Sequence, residues 1–199
     1  MKIVIGGHWT NPPDGWIALS EQDQDMTKPF PQSDNSVDTW FSEHCVEHLD
    51  FQGAISYFKE ALRTLKPGGL LRTAWPAIDK LVQFKDGTPE SREYARCQLS
   101  HYYPRQFETL RELGIDPMNH GQPFLFDSLL KGHNHLFVWS SPLMKEVLER
   151  IGYVNVEVVE PGVGPDALER VVRGIDLNVL PVDRCDAETL VIIAWKSKE

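Results

Sequence analysis

The segment His44-Cys45-Val46-Glu47-His48 gathers two imidazoles, a thiol and a carboxylate into one short run. On a helix, His-x-x-Glu-His is a zinc-hydrolase arrangement: both histidines on one face hold the ion and the glutamate serves as base. A second group lies further on, where HGQPFLFDSLLKGHNH places His120, His133 and His135 around Asp127. Imidazole is suited to moving a proton near neutral pH, so one of these histidines could activate a substrate hydroxyl or amine. Histidines that flank loops and a strand start more often satisfy local hydrogen bonds. Tyr102 and Tyr103 are candidates for lining a substrate pocket, although an aromatic pair more often belongs to a core. Cys45 has no activating partner nearby in sequence and reads as a small buried hydrophobe. Gly6-Gly7, taken alone, is a tight turn.

These groups need elements to hold them. KIVI at 2–5 and WIAL at 16–19 read as short strands, with a loop broken by Pro12, Pro13 and Asp14-Gly15 between them. VDTWFS at 37–42 is the next strand. Phe51, Ala54, Ile55, Phe58, Ala61, Leu62 and Leu65 keep an unbroken helical stripe over 51–65. Asp50 is its expected N-cap, and Lys66 with Pro67-Gly68-Gly69 its stop. A strand at 70–75 follows, ended by Pro76. From 79 to 133 the pattern weakens into mixed helical segments at 90–99 and 104–113 and a loop at 114–123, read as an inserted cap at about 80–133. A helix at 141–151 stopped by Gly152, and strands at 154–160 and 189–195, complete the chain. Strands alternating with helices predict an α/β sheet in a single domain spanning 1–199. The gap between the first two strands is too short for the crossover helix that a parallel pair ordinarily needs. The HCVEH segment falls in a strand-to-helix connection, where a sustained helical face is not expected, so the zinc reading loses and no metal is expected. Val46 and Leu49 are then expected to pack, and Glu47 and His48 to hydrogen-bond across the connection.

Composition bounds the partners. The 199 residues carry 20 basic against 29 acidic side chains, a net charge of -9, which gives no global field to attract nucleic acid. Three widely spaced cysteines fit a reducing compartment better than a disulfide framework. With neither a signal peptide nor an apolar run of membrane-spanning length, a cytoplasmic location and no membrane partner are expected. The oligomeric state is not legible.

Several runs carry a family resemblance: Ile5-Gly6-Gly7, Gly15-Trp16-Ile17, Lys28-Pro29-Phe30-Pro31, Asp34-Asn35-Ser36-Val37-Asp38, Ser42-Glu43-His44-Cys45-Val46-Glu47-His48-Leu49 and Leu65-Lys66-Pro67-Gly68-Gly69. Toward the end, Leu148-Glu149-Arg150-Ile151-Gly152-Tyr153 and Thr189-Leu190-Val191 continue it. The chain resembles the class I S-adenosylmethionine-dependent methyltransferases, over most of its length except roughly 80–130. The resemblance implies a three-layer α/β sandwich: a mostly parallel, Rossmann-like sheet of seven strands whose last strand is antiparallel, here with the first crossover helix missing or shortened.

The same resemblance implies S-adenosylmethionine as cofactor, S-adenosylhomocysteine as product, and methyl transfer to a small-molecule or modified-polymer acceptor. Gly6, Gly7 and His8 would form the turn that the methionine moiety approaches, where a side chain would clash. Glu21 or Asp23 would accept the ribose hydroxyls, and Asp25 and Met26 would lie against adenine. Ser42 and Glu43 would sit near the methionine end and His44 near the reacting group. Tyr102, Tyr103, His120 and His133 are candidates for the acceptor. Two departures stand out: His8 replaces the second glycine of the usual Gly-x-Gly, and no Asp follows the Gly-Trp strand closely. They favour a competing class, a non-catalytic methyltransferase-like binding or scaffold protein.

Overall fold

The computed structural model describes residues 1–6, 12–20, 22–83, 85–89, 92, 103–131, 134–167 and 188–199, with the backbone alone at 128 and 129. Gly7, His8, Glu21, Tyr102, His133 and nearly all of the expected helix at 90–99 lie outside them.

Six strands form one open sheet: β1 (Lys2–Gly6), β2 (Trp16–Leu19), β3 (Val37–Glu43), β4 (Leu65–Pro76), β5 (Tyr153–Val159) and β6 (Thr189–Lys196). Their spatial order is β2-β1-β3-β4-β6-β5. The first four run parallel, and β6 pairs antiparallel with both β4 and β5. The mostly parallel α/β sheet is thus as expected, with six strands among the described residues where the resemblance implies seven. Only residues 7–15 join β1 to β2, yet the two pair in parallel from Lys2↔Trp16 to Ile5↔Leu19. Trp16 helps to secure this edge: its ring meets Phe41 edge-on at 6.4 Å, and the Lys2 ammonium lies 5.5 Å from its centre.

Helix α1 (Phe51–Thr64) connects β3 to β4, starting on Asp50, whose carboxylate accepts from Gly53 N at 2.7 Å. Its apolar stripe buries Ala54, Tyr57, Phe58 and Ala61 against Trp40, Leu71 and Trp75 of the sheet. Helix α5 (Ser141–Ile151) joins the same layer through Met144 and Leu148 and ends at Gly152, whose φ of +118° suits glycine. Two buried polar groups here are paired: Trp40 Nε1 donates to Thr64 Oγ1 at 2.8 Å, and Tyr153 Oη to the Phe58 carbonyl at 2.9 Å. The Lys66-Pro67-Gly68-Gly69 run does not separate helix from strand as expected. It lies inside β4, where Val37↔Leu65 and Thr39↔Leu70 bracket a register shift that takes up the extra residues.

Between β4 and α5 lie α2 (Ile78–Gln83), α3 (Pro104–Glu112) and α4 (Gly121–Lys131). Helices α2 and α4 depart from the expectation, the latter starting within the loop predicted at 114–123. Leu81 and Leu125, with Phe126 and Val138 against them, make a small core of their own.

The sheet's other face carries Val4, Phe41, Ala74, Val191 and Ile193, and in their midst the fully buried Arg72. Residues 160–167 run across this face. Arg72 Nη1 donates to the Val163 carbonyl at 2.9 Å, while Asp166 accepts from Thr39 Oγ1 at 2.7 Å and Lys2 Nζ at 2.6 Å. One strap thereby ties β4, β3 and β1 together. Among the described residues, no helix is long and apolar enough to cross a membrane.

Candidate functional site

In an open parallel sheet, ligands bind beyond the carboxyl ends of the strands, where neighbouring strands are reached by connections running in opposite directions. Here that point lies between β1 and β3: the chain leaves β1 for β2 on one side, and β3 adds on the other. The register Ile5↔Leu19, Gly6↔Glu43 and Glu43↔Ala74 brings Gly6, Ser20, His44 and Trp75 to one edge.

Gly6 has a φ of +82°, and a Cβ there would stand 1.8 Å from Cys45 Sγ and 2.7 Å from the Glu43 carbonyl oxygen. The protein itself therefore requires a glycine at this position. Cys45 fills the space, its thiol 3.3 Å from the carbonyl oxygens of Ile5 and Glu43, consistent with the expected small buried residue. Ser42 and Glu43 are both buried. The Ser42 hydroxyl points into the helix-covered layer, donating to Thr73 Oγ1 at 3.0 Å rather than facing the edge.

Beyond β2 the chain makes two tight turns. Hydrogen bonds from the Ser20 hydroxyl and backbone hold the Asp23 carboxyl below its ordinary range, and those from Thr27 do the same for Asp25. Both side chains are exposed carboxylates at neutral pH, while Met26 next to them is buried in the core. Between them, Gln24 is also buried, and its Oε1 takes no hydrogen bond. Nothing in the sequence distinguished Gln24 from its polar neighbours; its burial comes from the turn.

The HCVEH segment follows β3 directly. Val46–His48 form one turn of 3-10 helix, so the expectation that no sustained helical face forms holds among these residues. His44 adopts a φ of +49°, and its N–H donates to the Ala74 carbonyl at 2.9 Å. Its Nδ1 stands 3.3 Å from Glu47 Oε1, and its Nε2 lies 3.1 Å from Thr189 Oγ1. Val46 is buried as expected.

Glu47 requires a correction. The hydrogen bonds across this connection run from Leu136 N (2.8 Å) and Phe137 N (3.2 Å) to the Glu47 carbonyl. Its carboxylate is 98% buried and neither oxygen takes a hydrogen bond. Burial pushes its pKa up to about 7, against the opposing effects of its own backbone N–H, His48 and His135, while Glu188 adds to the shift. His135 approaches His48 edge-on, ring centres 4.9 Å apart. The sequence put Glu47 and His48 in one group and His135 in another; the bonds from Leu136 N and Phe137 N to the Glu47 carbonyl join them.

The remaining candidates lie elsewhere. Tyr103 donates to Asp127 at 3.2 Å and packs on Phe124, and His120 is exposed beyond the 3-10 turn Pro117–Asn119. Asp127 is also paired with Lys131, so it joins no histidine cluster among the described residues. A cleft of about 490 Å³ lined by Gly68, Val154, Trp195 and Lys198 opens at the opposite edge, where β4 begins and β6 ends.

Residues 11–73 match the family model described as a methyltransferase domain. This stretch contains β2, β3, α1 and most of β4, but not β1, which lies between β2 and β3 in the sheet. No curated protein matches the chain. Among solved structures, the chain is similar to a SAM-dependent methyltransferase from Archaeoglobus fulgidus (16% identity, 98% of this chain and 75% of that one, TM-score 0.46). It is also similar to a Thermotoga maritima protein described as a SAM-dependent methyltransferase, possible histamine N-methyltransferase (16% identity, 98% and 82%, TM-score 0.47). A possible exported protein from Bordetella parapertussis is a further likeness (16% identity, TM-score 0.46), and this chain spans 44% of its length.

Proposed function

We propose, from the match of residues 11–73 to the methyltransferase-domain model, that the protein transfers a methyl group from S-adenosylmethionine to a small-molecule or modified-polymer acceptor. The observation that carries the reading is that the matched segment contains β3 and the turns after β2, whose residues lie at the carboxyl edge beside the end of β1. Bound there, the cofactor supplies an electrophilic methyl on a sulfonium. The acceptor's lone pair would form the new bond to carbon as the carbon–sulfur bond breaks, with S-adenosylhomocysteine as the leaving group.

This chain's contribution is to bind, align and exclude water. The turn after β1, with Gly6, Gly7 and His8, borders the methionine part, and Glu43 closes its floor. Asp23, or Glu21, accepts the ribose hydroxyls. Asp25 and Met26 flank the adenine, with Gln24 as an added acceptor, since its buried Oε1 has no partner of its own. Ser42 acts through Thr73 by fixing the end of β3, and is a positioning residue. His44 borders the reacting group, its ring held by Glu47 and Thr189. The region at about 80–133, with Tyr102, Tyr103, His120 and His133, selects the acceptor.

Calorimetric titration with S-adenosylmethionine and S-adenosylhomocysteine tests the reading. Both should bind, and Gln24→Ala should weaken each roughly ten-fold, a loss of about 1.4 kcal/mol. Absence of heat with either ligand at millimolar concentration would return the chain to the non-catalytic class.

A further inference from the structure

We propose that Glu47, His48 and His135 form a binding site for a divalent transition-metal ion of the zinc class. Each offers one ligand atom, and the three atoms lie within 4.8 Å of one another, in the only such group of three His, Cys, Asp or Glu side chains among the described residues. His48 Nε2 stands 4.0 Å from Glu47 Oε1. Ligands around tetrahedral zinc at about 2.0–2.2 Å are separated by roughly 3.3–3.6 Å, so closure asks for about an ångström of side-chain adjustment.

The second observation concerns the carboxylate. A buried charge is costly unless it is paired and hydrogen-bonded. Glu47 is almost fully enclosed, neither oxygen takes a hydrogen bond although His44 Nδ1 stands 3.3 Å from one of them, and two further imidazoles converge on it. A cation held between them accounts for all three features at once. The backbone preforms the arrangement, because Leu136 N and Phe137 N bond the Glu47 carbonyl and hold His135 beside the 3-10 turn. His44, with Nδ1 3.3 Å from the same carboxylate, then orients a ligand rather than supplying one.

The donor set fixes the class of ion. Two imidazole nitrogens and one carboxylate oxygen suit zinc, cobalt or iron(II); magnesium and calcium favour all-oxygen sites. Three protein ligands leave a position for an exchangeable group. The arrangement differs from the helical His-x-x-Glu-His motif: here the glutamate is a ligand, the first histidine stands behind it, and a residue 88 positions after Glu47 completes the set. Binding of the ion stands on these side chains alone. Only its use as a Lewis acid toward an acceptor oxygen rests on the methyl-transfer reading.

Chelator-stripped protein is titrated with Zn²⁺ by calorimetry and with Co²⁺ by visible absorption. One ion per chain is expected, with a cobalt ligand-field band. His48→Ala and His135→Ala should abolish the band, while His44→Ala should weaken binding by about 10–100-fold. Circular dichroism of the metal-free variants checks their folding. If either variant does not fold, X-ray absorption of the cobalt-loaded wild type should show two imidazole ligands. No binding by the wild type, an isotherm unchanged in both histidine variants, or an absorption spectrum without imidazole would each overturn the site. S-adenosylhomocysteine titrated into the stripped protein tests the cofactor reading separately.

Discussion

At the scale of single residues, the end of β1 is governed by Cys45. Gly6 combines a left-handed backbone with a Cβ position already occupied by sulfur. Gly6→Ala should therefore destabilise the fold by about 1–3 kcal/mol through the backbone conformation alone, and by more through the contact. Adding Cys45→Ala should recover the sulfur-contact part and leave the backbone part together with the contact on the Glu43 carbonyl. Urea unfolding of both variants checks this; equal midpoints for the single and double variants would show that Cys45 is not the obstacle. The sequence identified the glycine as a point of close approach, but the neighbour it pointed to was a ligand. A thiol 39 positions later in the chain cannot be placed from local pattern. The same limit applies to Glu47. Its motif was visible, yet its burial depends on residues 135–137 returning to it from beyond α4.

At the scale of elements, helix α1 also anchors the loop before β3. Glu60 accepts from Phe30 N at 2.8 Å and from Arg63, while Arg63 reaches the carbonyls of Phe30 and Gln32 and the carboxylate of Asp34. Hydrogen bonds from Arg63 hold the Glu60 carboxyl below its ordinary 4.5. A carboxyl whose folded value is depressed contributes its stability above the unfolded value and loses it as pH falls through the folded one. The stability gap between wild type and Glu60→Gln should thus be full at neutral pH and shrink below about pH 4.5. Denaturant midpoints measured from pH 7 down to pH 3 test it, and a constant gap would remove the charge from the account. Helix α1 was legible to within a residue because its stripe and Asp50 cap are local signals. The start of β4 was not. Pro67-Gly68-Gly69 has the composition of a turn, and only pairing with β3 makes a bulged strand of it.

At the scale of the whole molecule, the antiparallel end of the sheet is what the family resemblance implied, whereas the strand order and the covering of the second face emerge only in the structure. That task falls partly to residues 160–167, polar and glycine-bearing, which nothing in their composition marks as structural. Asp166→Ala removes acceptors for Thr39 and Lys2 and should cost about 1–2 kcal/mol, Thr39 being buried and Lys2 partly exposed. An unchanged unfolding midpoint would show that the strap merely rests on the sheet. The strap also orders events in time. Its contacts span 91, 127 and 164 residues of chain, and β6 must insert between β4 and β5 before the sheet is complete. Closures of such separation are slow to form. During synthesis the parallel strands therefore emerge before the strap, and Arg72 and Thr39 wait for their partners at 163 and 166 until that part of the chain has left the ribosome.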